Sequence, residues 1–251
     1  MSTNPLFEMS LRLADDALVL GHRLSEWCGH APVLEEDLAL ANLALDLIGQ
    51  ARSLYSYAGK VEGAGRDEDA LAYCRREAEY HNCLLVEQPN GDFALTIVRQ
   101  FLFAAAMHPF HQEMTRSSDP TLAAIAAKAE KELAYHLRHA AEWVIRLGDG
   151  TDESRRRTEA ALDHLWTFSG ELFEVDAILR TAIDQGLVPN PTDLRAVFDA
   201  TVDDVLAQAD LARPKDGWMQ TGGRMGRHSE HMGFLLTELQ YLQRLHPNAR
   251  W

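Results

Sequence analysis

The chain has 251 residues, 46% of them hydrophobic and 25% charged, enough to bury a sizeable core in one large domain or two small ones. A formal net charge of −14 argues against nucleic acid or an anionic membrane surface as partner, since both call for clustered basic residues; a small anionic ligand held by a few Arg stays open. The three cysteines, Cys28, Cys74 and Cys83, are odd in number and lack CxxC spacing, so neither a disulfide framework nor a zinc knuckle is expected, and a reducing cytoplasm fits.

The N-terminal stretch MSTNPLFEMSLRLADD carries acid where a signal peptide carries base, so secretion is not indicated. Leu6, Met9, Leu13, Ala17, Leu20, Leu24 and Trp27 then recur every three or four residues, one face of an α-helix, until CGHAP breaks it at Gly29 and Pro32. A second stripe runs through Leu40, Leu43, Leu47, Gln50, Leu54, Tyr57 and Val61 to the turn EGAGRDED, and a short helical stretch is predicted over 69–87. QPNG at 88–91 is a turn. A third long helix is predicted over 92–115, with Phe93, Ile97, Phe101 and Ala104 on one face; its apolar run Phe101–Met107 is too short to span a bilayer. SSDP at 117–120 opens a helix with a Ser or Asp cap and Pro in the first turn. The fourth stripe follows through Leu122, Ile125, Ala129, Leu133, His136, Ala140, Trp143 and Leu147, and GDG at 148–150 stops it.

Three further helical segments are predicted near 152–185, 191–211 and 226–246, separated by LVPNPT and RPKDGWMQTGGRMG. Strand signals are nearly absent, and no linker or repeat divides the chain. The expectation is one all-α domain over 1–251: a ferritin-like four-helix bundle of helices about 35–42 Å long, with additional C-terminal helices.

A bundle of this type that holds two irons needs inward carboxylates, a Glu from each of two helices and Glu-x-x-His from each of the others, to offset the buried charge. The first stripe carries no acid, and Asp15 and Asp16 lie off it. The second offers Leu47 and Gln50, the fourth Leu133 and His136, and the third helix has no Asp or Glu between Asp92 and Glu113. One His and one Gln cannot compensate two irons, so the bundle should be stable without metal. Asp46 is placed to hydrogen-bond His136 across the bundle, as a core polar pair.

The stretches EWCGHAPVLEEDLALANLALDLIGQAR, LVEQPNGDFALTIVRQ, AAKAEKELAYHLRHAAEWVIRLGDGTDES, LWTFSGELF and TGGRMGRHSEHMGFLLTELQYLQR span the chain from first helix to last. On them the sequence resembles the family of C subunits of the ring-1,2-phenylacetyl-CoA epoxidase (phenylacetate-CoA oxygenase), a bacterial multicomponent oxygenase of phenylacetate breakdown. The resemblance implies a ferritin-like fold, a non-catalytic structural role, and a hetero-oligomer. The implied partners are the homologous A subunit, which carries the di-iron centre, further subunits and a reductase. In that catalytic relative the second helix reads D-E-x-G-H where this chain has Asp46-Leu47-Ile48-Gly49-Gln50, and the fourth reads K-E-E-x-x-H where it has Lys131-Glu132-Leu133-Ala134-Tyr135-His136. The first-helix glutamate falls at Ala17. The resemblance therefore implies lost ligands at Ala17, Leu47, Gln50 and Leu133 with His136 retained, and no catalytic residue, metal or cofactor in this chain.

Other signals keep competing readings open. His108/His111, His136/His139 and His228/His231 each have i, i+3 spacing, and a metal-dependent enzyme in its own right would use them; no acid accompanies the first pair, and a zinc site wants three or four ligands. Glu132 and His136 share a face and suggest a local hydrogen bond. Arg155–Arg157 reads as an ion-paired face, or as a contact to coenzyme A phosphates in a ligand-binding module. The glycines of 221–231 suggest a phosphate cradle or, better, close approach to another polypeptide of the complex. Trp27, Trp143, Trp166, Trp218 and Trp251 are expected in the core or at an interface.

Overall fold

The computed structural model describes residues 4–246 and residue 249, in which every regular element is helical. Four long helices form the bundle: α1 (Pro5–Ser25), α2 (Leu34–Glu62), and, after a crossover, two that pair with each other, Phe93–Met114 and Pro120–Gly148. The crossover contains α3 (Glu68–Tyr73), a 3-10 turn at Glu77–Glu79 and a single turn, α4 (Leu84–Glu87), so the long pair is α5 and α6. Beyond them lie α7 (Asp152–Trp166), a 3-10 turn Gly170–Phe173, α8 (Ala177–Asp184), a 3-10 turn Pro191–Leu194, α9 (Arg195–Gln208), a 3-10 turn Gly223–Met225 and α10 (Glu230–Leu245).

Local chemistry sets the ends. Pro5 and Pro120 occupy the first helical turn, where a missing N–H costs nothing, behind Asn4 and Asp119; the Asp119 carboxylate accepts from Thr121 and Leu122 N–H. Gly63, at φ 69°, closes α2 in the left-handed conformation that glycine adopts most easily. The helix α2 begins at Leu34, earlier than its apolar stripe, and Trp27 lies just beyond the end of α1.

Side-chain pairs fix the topology. Along α5 and α6, Gln100 meets His136 and His108 meets Glu130. Along α2 and α6, Glu36 meets His139 and Tyr57 meets Asp119. Numbers rise on one helix as they fall on the other, so both pairs are antiparallel and α2 runs parallel to α5. That parallel step requires the long crossover, as expected for a ferritin-like bundle.

Three segments differ from the helices predicted. Over 69–87 the chain is not one helix but an interrupted strap: α3, the 3-10 turn and α4 are separated by irregular backbone at 74–76 and 80–83, where His81 and Cys83 N–H donate to Asp15 and Asp16, and Leu84 N–H opens α4 by donating to Glu171. The span 152–185 breaks after Trp166, where Glu171 faces the strap and Asp176 both caps α8 and binds Arg12. Residues 226–229 are not helical, since Ser229 donates through N–H and Oγ to Glu87.

The helix α1 is buried almost all round, polar residues included, so its predicted single stripe understates it. Of the described helices, α5 is the one long and apolar enough to cross a membrane, yet 83% of its apolar window is buried within the bundle.

Candidate functional site

At the bundle centre the core stripes converge. Leu47 and Leu133 are fully buried and Ala17 is 3% exposed. Gln50, almost buried, donates to Glu132 Oε2 at 2.8 Å. His136, fully buried, sits with Nε2 3.2 Å from Asp46 Oδ2 and Nδ1 3.4 Å from Gln100 Nε2. A ferritin-type pair of irons needs several inward carboxylates, and these positions present three alkyl side chains, one amide and one imidazole. The donor set does not fit two irons.

The α2–α6 seam is instead bridged by a polar ladder. Its rungs are Glu36–His139 at 2.9 Å, Asp46–His136 at 3.2 Å, Gln50–Glu132 at 2.8 Å and Tyr57–Asp119 at 2.6 Å. The inner rungs satisfy His136, Gln50 and Glu36, which are buried, while Tyr57–Asp119 closes the half-exposed end; a bond of this kind is worth about 0.5–1.5 kcal/mol net when neutral and about 1.5–3 when one group is charged. Side chains of this chain thus tie together the two helices that bridging carboxylates and metal would tie in a di-iron bundle. Glu132 turns to Gln50 and to Lys128, 3.4 Å away, and not to His136; the local Glu132–His136 hydrogen bond expected from their spacing is absent because His136 points at Asp46.

The other histidine pairs have separate partners. His108 Nε2 lies 3.5 Å from Glu130 on α6, so an acid does accompany that pair. His111 holds the Met107 carbonyl at 2.9 Å, and burial pushes its imidazole down to about 4. His228 lies ahead of α10, not on its face, with Nδ1 2.5 Å from Glu87 and Nε2 2.9 Å from the Tyr80 carbonyl. No group of three His, Cys, Asp or Glu among the described residues is arranged to hold a metal ion.

Arg155 binds the Asp210 carboxylate, Arg156 binds Glu153, and Arg157 binds Glu153 and Asp92, so this basic run is an ion-paired surface. In the 221–231 loop the close approach is to the chain's own strap, which corrects the expectation of another polypeptide there. A Cβ on Gly223 would stand 2.2 Å from the Asn82 carbonyl oxygen, and one on Gly226 2.3 Å from that of Ala78. Trp27 donates to Thr96 and Trp166 to Asp216; Trp143 packs edge-on to Phe93; Trp218 is 78% exposed, and Trp251 lies outside the described residues.

A second polar layer, which the apolar pattern did not reveal, joins α1 to the strap and the C-terminal loops. Asp15 accepts from Tyr55 Oη at 2.5 Å and from His81 N–H at 2.7 Å, and pairs with Arg75. Asp16 accepts from Cys83 N–H at 2.7 Å and pairs with Arg224 at 2.8 Å; burial pushes its carboxyl up, against the pull of Arg224. Glu171 accepts from Leu84 and Gly222 N–H, and Glu87 from Asn82, Ser229 and His228. LADDALVL carries no local sign of this: acids off an apolar stripe ordinarily face solvent, and only the fold brings the N–H groups of His81 and Cys83 to Asp15 and Asp16.

The sequence pattern of the phenylacetic acid catabolic proteins matches residues 1–251. The chain belongs to that family. One relative of this phenylacetic acid catabolic chain is the C subunit of the 1,2-phenylacetyl-CoA epoxidase of Escherichia coli strain K12: 49% identity over 248 residues, 99% of this chain and 100% of the relative. The family's ferritin-like bundle is therefore the frame in which the ladder and the alkyl-filled centre are set.

Proposed function

We propose that this chain is the structural, non-catalytic subunit of a 1,2-phenylacetyl-CoA epoxidase of aerobic phenylacetate catabolism. It pairs with a homologous catalytic subunit that carries the di-iron centre and stabilises it; further subunits and a reductase complete a cytoplasmic assembly. The observation that carries the reading is the bundle centre, where Ala17, Leu47 and Leu133 are buried alkyl groups at positions a di-iron relative gives to carboxylates. The near-full-length similarity to a protein named as the C subunit of such an epoxidase supports the complex.

The physical case for a metal-free partner is rigidity. Iron ligands must stay within about 0.5 Å of productive geometry, and the elements behind them must not move. A bundle cross-linked by its own ladder keeps one shape whether or not iron is loaded next door. The test is to produce the catalytic subunit with and without this chain, and each alone. Alone, this chain is expected to bind no stoichiometric iron and form no epoxide, and the catalytic subunit should gain solubility and activity on co-production. Iron-dependent turnover by this chain alone, or no gain on co-production, would refute the reading.

A further inference from the structure

Beyond the bundle, one buried histidine pins the C-terminal arm, residues 226–245, to the strap. The side chains of His228 and Glu87 have no exposed surface. Nδ1 of His228 lies 2.5 Å from Glu87 Oε1, and Nε2 lies 2.9 Å from the Tyr80 carbonyl oxygen. Glu87 also accepts from Asn82 Nδ2 and from Ser229 N–H and Oγ, a donor set that suits an ionised carboxylate. Both nitrogens of the ring thus face acceptors. A neutral imidazole has one N–H to offer and the imidazolium has two, so the geometry calls for the imidazolium.

The other groups around the ring are few. Glu77 of the 3-10 turn favours the cation, while His81 of the strap opposes it when protonated. Tyr80 offers an un-ionised phenol, its pKa pushed up by burial. On the arm itself Arg227, Glu230 and His231 flank His228 in sequence, the first two exposed. Burial pulls the imidazole down, the hydrogen bond and charge of Glu87 push it up, and the balance lies above the ordinary 6.5. Downstream, α10 packs on α3 and the 3-10 turn of the same strap; it buries Met232, Leu235 and Leu236, and Gln240 and Arg244 donate to the Arg75 carbonyl. Upstream, Gly222 N–H is tied to Glu171, and Gly222 stands at φ 135°, a conformation open to glycine. The arm therefore leaves the body of the protein at a fixed point.

From this geometry we propose that Glu87 and His228 form a proton-held latch: the protonated imidazole fastens the 226–245 arm to the strap, and loss of its second proton releases the arm. Deprotonation sets a nitrogen lone pair against the Tyr80 carbonyl or against Glu87, and it strips a buried carboxylate of its ion-pair partner. The folded-state pKa lies above the unfolded 6.5, so the latch is fully closed below pH 6.5 and opens as pH rises through the folded value. Opening uncovers Met232, Leu235 and Leu236, the apolar underside of α10.

The experiment follows the full chain from pH 6 to 9 by nitrogen-15 NMR of the His228 ring and by amide hydrogen exchange, corrected for the intrinsic pH dependence of exchange. In wild type both ring nitrogens should carry protons at pH 6.5. As the ring titrates, protection of Glu230–Leu245 should fall about tenfold or more, the cost of one buried acceptor left unmatched, while α9 keeps its protection. In His228→Gln, whose amide has no proton to lose in this range, the arm should already be poorly protected at pH 6 and change about twofold or less with pH. If that variant fails to fold, the wild-type ring and exchange data decide alone. A ring with one proton at pH 6.5, a ring that keeps both to pH 9, or protection of the arm that does not follow the titration would overturn the latch. So would an equal loss in α9, or a His228→Gln arm with the wild-type pH dependence.

Discussion

Leu133→Glu puts a carboxyl on the inward stripe of α6, three residues before His136, and the structure says what it should cost. Leu133 is fully buried on α6, near Leu47 and one turn from His136. Losing its burial removes about 1.5–3 kcal/mol. Placing a carboxyl there without a partner adds about 1–3 kcal/mol on protein-derived scales. The sum, about 3–6 kcal/mol, is a large share of the 5–15 kcal/mol that holds a typical domain. The assay is urea unfolding followed by circular dichroism, with and without equimolar iron(II), beside the volume-conserving control Leu133→Met, which should stay within about 1.5 kcal/mol of wild type. Iron should return nothing, since Leu47 and Gln50 stand opposite. The loss should shrink on acidification toward pH 5, as the buried carboxyl takes up a proton. A Leu133→Glu chain within about 1 kcal/mol of wild type at neutral pH, or one rescued by iron, would refute the reasoning.

Other perturbations probe the supports around that centre. His111 has its imidazole pushed down to about 4, so an unfolded chain binds its proton first as pH falls from the ordinary 6.5, and wild type should lose up to about 3 kcal/mol more than His111→Gln between pH 6.5 and 4, read from unfolding midpoints. Asp16→Asn keeps an acceptor for Cys83 N–H but leaves Arg224 without its charge partner, and should cost about 3 kcal/mol or more in the same assay. Gly223→Ala must push the loop off the Asn82 carbonyl, for about 2–3 kcal/mol, whereas Gly63→Ala meets open space and should cost only the backbone penalty of about 1 kcal/mol, compared by thermal unfolding.

The long helices were legible because apolar residues recur at helical spacing wherever one face meets the core, and because Asp119–Pro120 and Gly148 mark ends by their own chemistry. The alkyl centre was legible for the same reason: Leu47 and Leu133 stand on those stripes. The buried polar layer was not. Periodicity reports where apolar groups gather, and Asp15, Asp16, Glu87 and Glu171 are buried by accepting from backbone far away in sequence, a pairing no local pattern encodes. The strap illustrates the consequence. Residues 74–80 still make local turns, but at 81–83 tertiary acceptors claim the N–H groups of His81 and Cys83 and end the helical pattern. The glycines at 223 and 226 signalled close approach, while only the fold reveals that the neighbour is Ala78–Asn82 of the same chain.

Elemental analysis of the chain produced alone in iron-replete cells, together with its oxygen uptake in the presence of phenylacetyl-CoA and a reductant, addresses the central claim most directly. The account expects well under 0.1 iron per chain and no uptake above background. About two irons per chain, or unaided oxygen consumption, would contradict it.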